Sequence, residues 1–141
     1  MKQNIMALAL VTACLALPAV AVPAVAGPRD DIVAGFAAAA KAADPAFTGF
    51  DAARGKALYE SQNTASAESP SCASCHSASP LKAGKTRAGK AIDPMAVSVT
   101  PDRFTDLEKV EKWFGRNCNT VLGRECTAIE KGDFITYLSG L

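Results

Sequence analysis

The chain has 141 residues, enough for one domain and no more. Lysine and arginine number 15 against 14 acidic residues. The resulting net charge of +1 excludes a global field that would attract nucleic acid or an anionic membrane surface.

Residues 1–26 read as a signal peptide. Lys2 supplies a short positive start, Ile5 to Ala26 is almost wholly apolar, and Ala24-Val25-Ala26 is an A-x-A site. Cleavage after Ala26 leaves a single domain at 27–141 and places it in the periplasm. The alternative is an uncleaved apolar span. Val11-Thr12-Ala13-Cys14 loosely resembles a lipoprotein box, but the apolar run continues well beyond Cys14.

The mature part reads as helical. Arg29 to Ala43 carries Asp30 and Asp31 early and Lys41 late around an alanine-rich middle, an order that suits a helix dipole. Asp44-Pro45 ends it. Asp51 is a candidate N-cap for a second helix, in which Ala53, Gly55, Leu58 and Tyr59 share a face. Gly55 costs helix stability, so either it admits a close neighbour or it is merely tolerated.

Ser61 to Ser71 reads as a surface loop leading into Cys72-Ala73-Ser74-Cys75-His76. C-x-x-C-H is the attachment signature of a c-type haem: each thiol adds to one vinyl group, and the imidazole becomes an axial ligand. Competing readings of the two cysteines are a redox dithiol, half a zinc site or a structural disulfide. A redox dithiol lacks its βαβ setting here, and a zinc site lacks a second close cysteine pair. His76 is the only histidine in the chain. The implied cofactor is one covalent haem c, with no metal other than its iron.

Downstream, Lys82, Lys85, Arg87 and Lys90 face one late acid, Asp93, before Pro94-Met95. The run is either a solvated loop or a docking patch near the haem edge for an acidic redox partner. Thr100-Pro101 and Thr105-Asp106-Leu107-Glu108 are helix starts, the second a capping box. From there Leu107, Val110, Trp113, Phe114 and Asn117 fall on one helical face. Thr127 to Glu130 caps a last helix whose apolar face is Phe134, Tyr137 and Leu138. No run alternates like a strand, so the predicted fold is all-α. With Cys14 lost in the leader and two cysteines on haem, Cys118 and Cys126 remain as a candidate disulfide in an oxidising compartment. A bridge over so short a loop contributes about 2.5 kcal/mol in a chain-entropy account.

The order of these elements resembles a class I cytochrome c, in which the first and last helices cross near a small residue and an aromatic. Gly55 and Tyr137 are the matching pair. Trp113-Phe114-Gly115-Arg116-Asn117-Cys118-Asn119, Gly123-Arg124-Glu125-Cys126 and Glu130-Lys131-Gly132 resemble the sphaeroides haem protein family. Thr86 to Lys90 and Thr100 to Asp106 fit it too. The resemblance implies a high-spin cytochrome c with Asn117 as sixth ligand of ferric iron and a Cys118–Cys126 disulfide beside it. It also implies a dihaem cytochrome c as electron donor, itself linked to a membrane cytochrome b.

With one histidine, a second imidazole ligand is impossible. Candidates for the sixth position are Met95, Asn117, Asn119, a lysine, or water. Met95 would give a closed, high-potential electron-transfer site. An asparagine amide is a hard, weak donor that suits ferric iron and holds ferrous iron poorly. Its helix-end alternative is a C-cap role. Placement on the Trp113 face, with the resemblance, favours Asn117. The expected function is redox-gated binding of O2, NO or CO, with oxygen- or NO-reducing chemistry as a further option. The alternative is a simple electron carrier with His/Met coordination.

Overall fold

The computed structural model describes residues 26–141. The leader and Cys14 lie outside them. Helix α1, Pro28–Ala43, starts at Gly27, whose backbone N–H donates to the Asp30 carboxylate at 2.8 Å. It ends where the Lys41 ammonium reaches the Pro45 and Phe47 carbonyls. Ile32, Phe36 and Ala40 form its buried stripe. Helix α2, Ala52–Glu60, is capped by Asp51, whose carboxylate accepts from the N–H groups of Ala53 and Arg54.

Helix α5, Ala128–Ser139, is the centre of the core: Ile135 and Leu138 are fully buried, and both α1 and α2 pack on it. Its start carries the predicted capping box, the Thr127 hydroxyl accepting from Glu130 N–H and the Glu130 carboxylate accepting from Thr127 N–H. The α2–α5 crossing is set by glycine. A Cβ built on Gly55 would lie 2.0 Å from the Asp133 carbonyl oxygen and 2.9 Å from Tyr137 Cβ. Gly132 makes similar room for the Phe50 ring, 2.1 Å from the place its Cβ would take. Close packing is therefore why Gly55 is a glycine.

Asp133 locks the same crossing. It is buried, and it accepts from Asp51 N–H at 2.6 Å and from Arg54 Nε and Nη2 at 2.6 and 2.9 Å. A buried carboxylate needs this set of donors to offset its desolvation.

Helix α4, Leu107–Leu122, runs from Asp106 to a left-handed Gly123 at φ 70°. Its N-cap corrects the sequence reading. Asp106, not Thr105, accepts from Lys109 N–H, while the Thr105 hydroxyl donates back to Asp102 O. Thr100-Pro101 opens only a turn. The buried face also differs, running through Val110, Phe114, Cys118 and Val121. Trp113, at 50% exposed, stands roughly a quarter turn from that seam at 3.6 residues per turn. Leu107, at 54%, sits in the first turn against a shallow groove of α1.

Between α2 and α4 lie one short helix, α3 (Ala73–His76), and a small hairpin, β1 (Gly84–Lys85) with β2 (Ala91–Ile92). The strands are antiparallel, Gly84 opposite Ile92 and Lys85 opposite Ala91. They were not predicted because two residues are too few to show an alternation. Helices dominate, and the fold is all-α.

Candidate haem site

The C-x-x-C-H segment is one helical turn. His76 N–H donates to Cys72 O at 3.1 Å, and the Ser71 and Ser74 hydroxyls accept from each other's backbone N–H at the entry. In such a turn residues i, i+3 and i+4 share a side, so Cys72, Cys75 and His76 present their side chains together. Ser77 then leaves the turn at φ 71°. Its carbonyl and that of His76 share the Tyr59 hydroxyl as donor, at 2.6 and 2.9 Å. Tyr59 is fully buried, so α2 holds the exit of the motif from inside the core.

Gly84 holds it from the other side. A Cβ there would lie 2.1 Å from Cys75 O and 2.8 Å from His76 Cα. Only a residue without a side chain lets the hairpin lie against the turn. Neither this glycine nor the Tyr59 hydroxyl was identified in the sequence. Both roles need partners distant in the chain.

Cys72, Cys75 and His76 open into a cavity of ≈ 1150 Å³. Sites for small ligands span about 300–1,000 Å³, so this one has room for a group of haem size. Met95, Phe114, Val121 and Phe134 are among its apolar walls. Both thiols are free and partly buried. Burial pushes the Cys72 thiol up to about 11. Burial first, and then the Arg103 cation, pushes His76 down to about 4, so its imidazole is neutral at ordinary pH. Two thiols and a neutral imidazole on one turn of a large cavity with apolar walls match the donor set a covalent haem needs.

Of the residues that would offer the iron of a haem a second ligand, the cavity takes in Met95 and Asn117 but not Asn119. Met95 is buried and lines the cavity, its backbone N–H tied to Pro80 O. Asn117 also lines it. Asn119 does not, and its amide is spent on Gly115 O at 2.6 Å. Asn117 lies inside α4, well before the Gly123 C-cap, so a capping role is excluded. Asn117 is exposed, and no protein group among the described residues holds its carboxamide. Of the lysines, Lys90 and Lys109 reach the rim, and Lys109 pairs with Asp106.

Cys118 and Cys126 are bonded to each other, which ties α4 to the segment before α5 directly beside Asn117 and removes the four-cysteine zinc reading. Arg103 is a further wall residue that the sequence did not single out. It holds Pro94 O and Asp93 O at 3.1 and 2.6 Å, while Arg29 Nε holds its own carbonyl. A lone acid in the apolar Gly132-Asp133-Phe134-Ile135 run was the available signal for the Asp133 lock.

Three comparisons bear on this site. Residues 45–138 match the family profile described as Domain of unknown function (DUF1924). The chain is 51% identical over 120 residues to cytochrome c-type protein SHP of Cereibacter sphaeroides, covering 83% of this chain and 88% of that protein. It is 40% identical over 101 residues to cytochrome c'' of Methylophilus methylotrophus, 70% of each. Among solved structures, oxidised SHP, an oxygen-binding cytochrome c, superposes with a TM-score of 0.73 at 47% identity, over 82% of this chain and 97% of that one. Oxidised cytochrome c'' from M. methylotrophus gives 0.70 at 36%, over 79% and 93%. A solution structure of the same cytochrome, concerned with its haem-ligand detachment, gives 0.67 at 34%, over 78% and 90%. This chain belongs to the DUF1924 family and, within it, to the SHP-type cytochromes c, whose cofactor is a single covalently attached haem.

Proposed function

We propose that this protein is an exported cytochrome that binds a diatomic gas (O2, NO or CO) in its reduced state, with Asn117 as a ligand that leaves on reduction. Cys72 and Cys75 form the two thioether bonds, and His76 is the proximal ligand. When bound, the haem supplies an iron with one further coordination position. Asn117 would hold a ferric iron there through a hard, weakly donating oxygen, and would be released when the metal gains an electron. The observation that carries this reading is the placement of Asn117: within α4, exposed, and on the same cavity as His76. The oxygen binding of SHP and the ligand detachment studied in cytochrome c'' support it. The adjacent Cys118–Cys126 bond limits how far that part of α4 can move.

Met95 supports a second reading, a closed His/Met electron carrier, because it too lines the cavity. Absorption spectra separate the two. The gated site gives a high-spin ferrous spectrum that shifts at once with CO or NO, and a ferric spectrum altered by Asn117→Ala. A low-spin ferric spectrum indifferent to Asn117→Ala, with a ferrous form silent to CO, rejects it in favour of Met95.

Residues 1–26 direct export to the periplasm in this reading, and electrons come from a dihaem cytochrome c linked to a membrane cytochrome b. Lys82, Lys85, Arg87 and Lys90 are all exposed, and Arg87 and Lys90 stand at the cavity rim, with Arg87 also paired to Glu68. Changing all four to glutamate slows reduction by an acidic redox protein about tenfold or more at low ionic strength, and the difference fades as salt is added. Equal rates at low salt reject docking on this face.

A further inference from the structure

Helix α1 is apolar on both of its faces. Ile32, Phe36 and Ala40 are buried, while Ala34, Gly35, Ala38, Ala39 and Ala42 on the opposite side are exposed. Between Asp31 and Lys41 the helix carries no polar side chain. A surface helix ordinarily turns polar and charged residues to water, and a helix that is apolar all round is one that is covered.

Helix propensity explains the alanines but not Gly35, since glycine costs about 1 kcal/mol relative to alanine inside a helix. No contact within the chain asks for it: a Cβ built on Gly35 meets no atom within 4 Å. At Gly55 the missing side chain admits α5. At Gly35 the space lies outside the molecule, where it fits the close approach of another backbone. The apolar surface also extends beyond the helix. A groove of ≈ 540 Å³ runs beside it, lined by Ile32, Gly35, Phe36 and Ala39 and by Leu107 of α4, itself 54% exposed.

We propose that this face of α1 is the contact between two copies of the chain, packed antiparallel about a two-fold axis near the middle of the helix. Charge selects that occupant. Asp31 and Lys41 stand near opposite ends of α1, about 15 Å apart at 1.5 Å per residue. Among the described residues neither belongs to a salt bridge, and the Lys41 ammonium rests only on the neutral Pro45 and Phe47 carbonyls. A two-fold axis sets Asp31 of each copy beside Lys41 of the other, and it opposes the two helix dipoles. A membrane surface fits this face less well. Alanines bury little area in lipid, and Asp31 and Glu111 at the groove repel anionic headgroups. No residue of α1 lines the haem cavity, so the contact does not draw on the haem site.

The test is sedimentation equilibrium of the untagged holoprotein from about 10 μM to about 1 mM, a range that reaches weak association. A single helix face, about 24 Å long, offers less than a standard interface, and the dimer is correspondingly weak. The average mass is expected to rise from one chain toward two across that range. Ala38→Glu, at the middle of the exposed face, is expected to hold it at one chain with helicity and haem spectrum unchanged. Asp31→Lys sets like charges opposite each other and is expected to raise the dissociation constant about threefold or more. A single-chain mass at every concentration overturns the inference. So does a dimer that survives Ala38→Glu or is unmoved by Asp31→Lys. Binding to phosphatidylcholine vesicles that Ala38→Glu abolishes, with no dimer in solution, makes the occupant a membrane and overturns it as well.

Discussion

Replacing Cys72 and Cys75 together by serine is expected to leave a polypeptide with no haem after acid–acetone extraction, measured as loss of the pyridine haemochrome signal and of the haem mass from the intact chain. A hydroxyl does not add to a vinyl group under the conditions in which a thiol does. His76 alone then holds the cofactor, and a single neutral imidazole bond is exchangeable where a thioether is not. The single variants should each keep covalent haem through the remaining thiol, so the double variant isolates the covalent link. The consequence extends to the fold. The cavity of ≈ 1150 Å³ is walled by Phe114, Val121, Met95 and Phe134, all of them also members of the core or its edge. Without the group that fills it, those side chains lose their packing partners, and helicity measured by circular dichroism should fall alongside the haem. Full haem retention after extraction would reject Cys72 and Cys75 as the attachment points.

The second large effect is expected from Gly55→Val. The new Cβ would meet the Asp133 carbonyl oxygen at 2.0 Å and its carbon at 2.5 Å. Both are backbone atoms of α5, so no rotamer change relieves the contact. Helix α2 must move off α5. That separation loosens the Asp133 cluster with Arg54 and Asp51 N–H, and draws Tyr59 away from the carbonyls of His76 and Ser77. Overpacking of a tight core contact costs about 1–3 kcal/mol, and more when backbone must give way. A loss of at least about 3 kcal/mol is expected here, which lowers the melting temperature of a domain this size by about 10 °C or more. Thermal unfolding of the holoprotein checks it. A melting temperature within about 2 °C of the parent would show that the crossing is looser than the Gly55 contact requires.

Two parts of the chain meet on the one cavity. Tyr59 and Gly84 fix the C-x-x-C-H turn from the core and from the hairpin. Asn117 lines the same cavity, on a helix whose end is tied by the Cys118–Cys126 bond.

Much of this was legible from local pattern. C-x-x-C-H identifies the haem turn because its chemistry is written in side chains three and four residues apart. The ends of α1, α2 and α5 follow from Asp30 with Lys41, from Asp51, and from Thr127 with Glu130, because caps act within one turn of chain. The resemblance of the Trp113 to Asn119 segment named the family that the comparisons then showed. Tertiary structure alone decided the rest. It separated Asn117 from Asn119 and placed Met95 on the same cavity. It turned Trp113 outward, and it made Gly55 and Gly84 contact points with segments far from or folded back on them. It put a buried carboxylate between α2 and α5. The physical reason is one of range. Propensity, capping and periodicity are properties of a few neighbouring residues. The hydrogen bond from Arg54 to Asp133 spans 79 residues and exists only after the chain has closed.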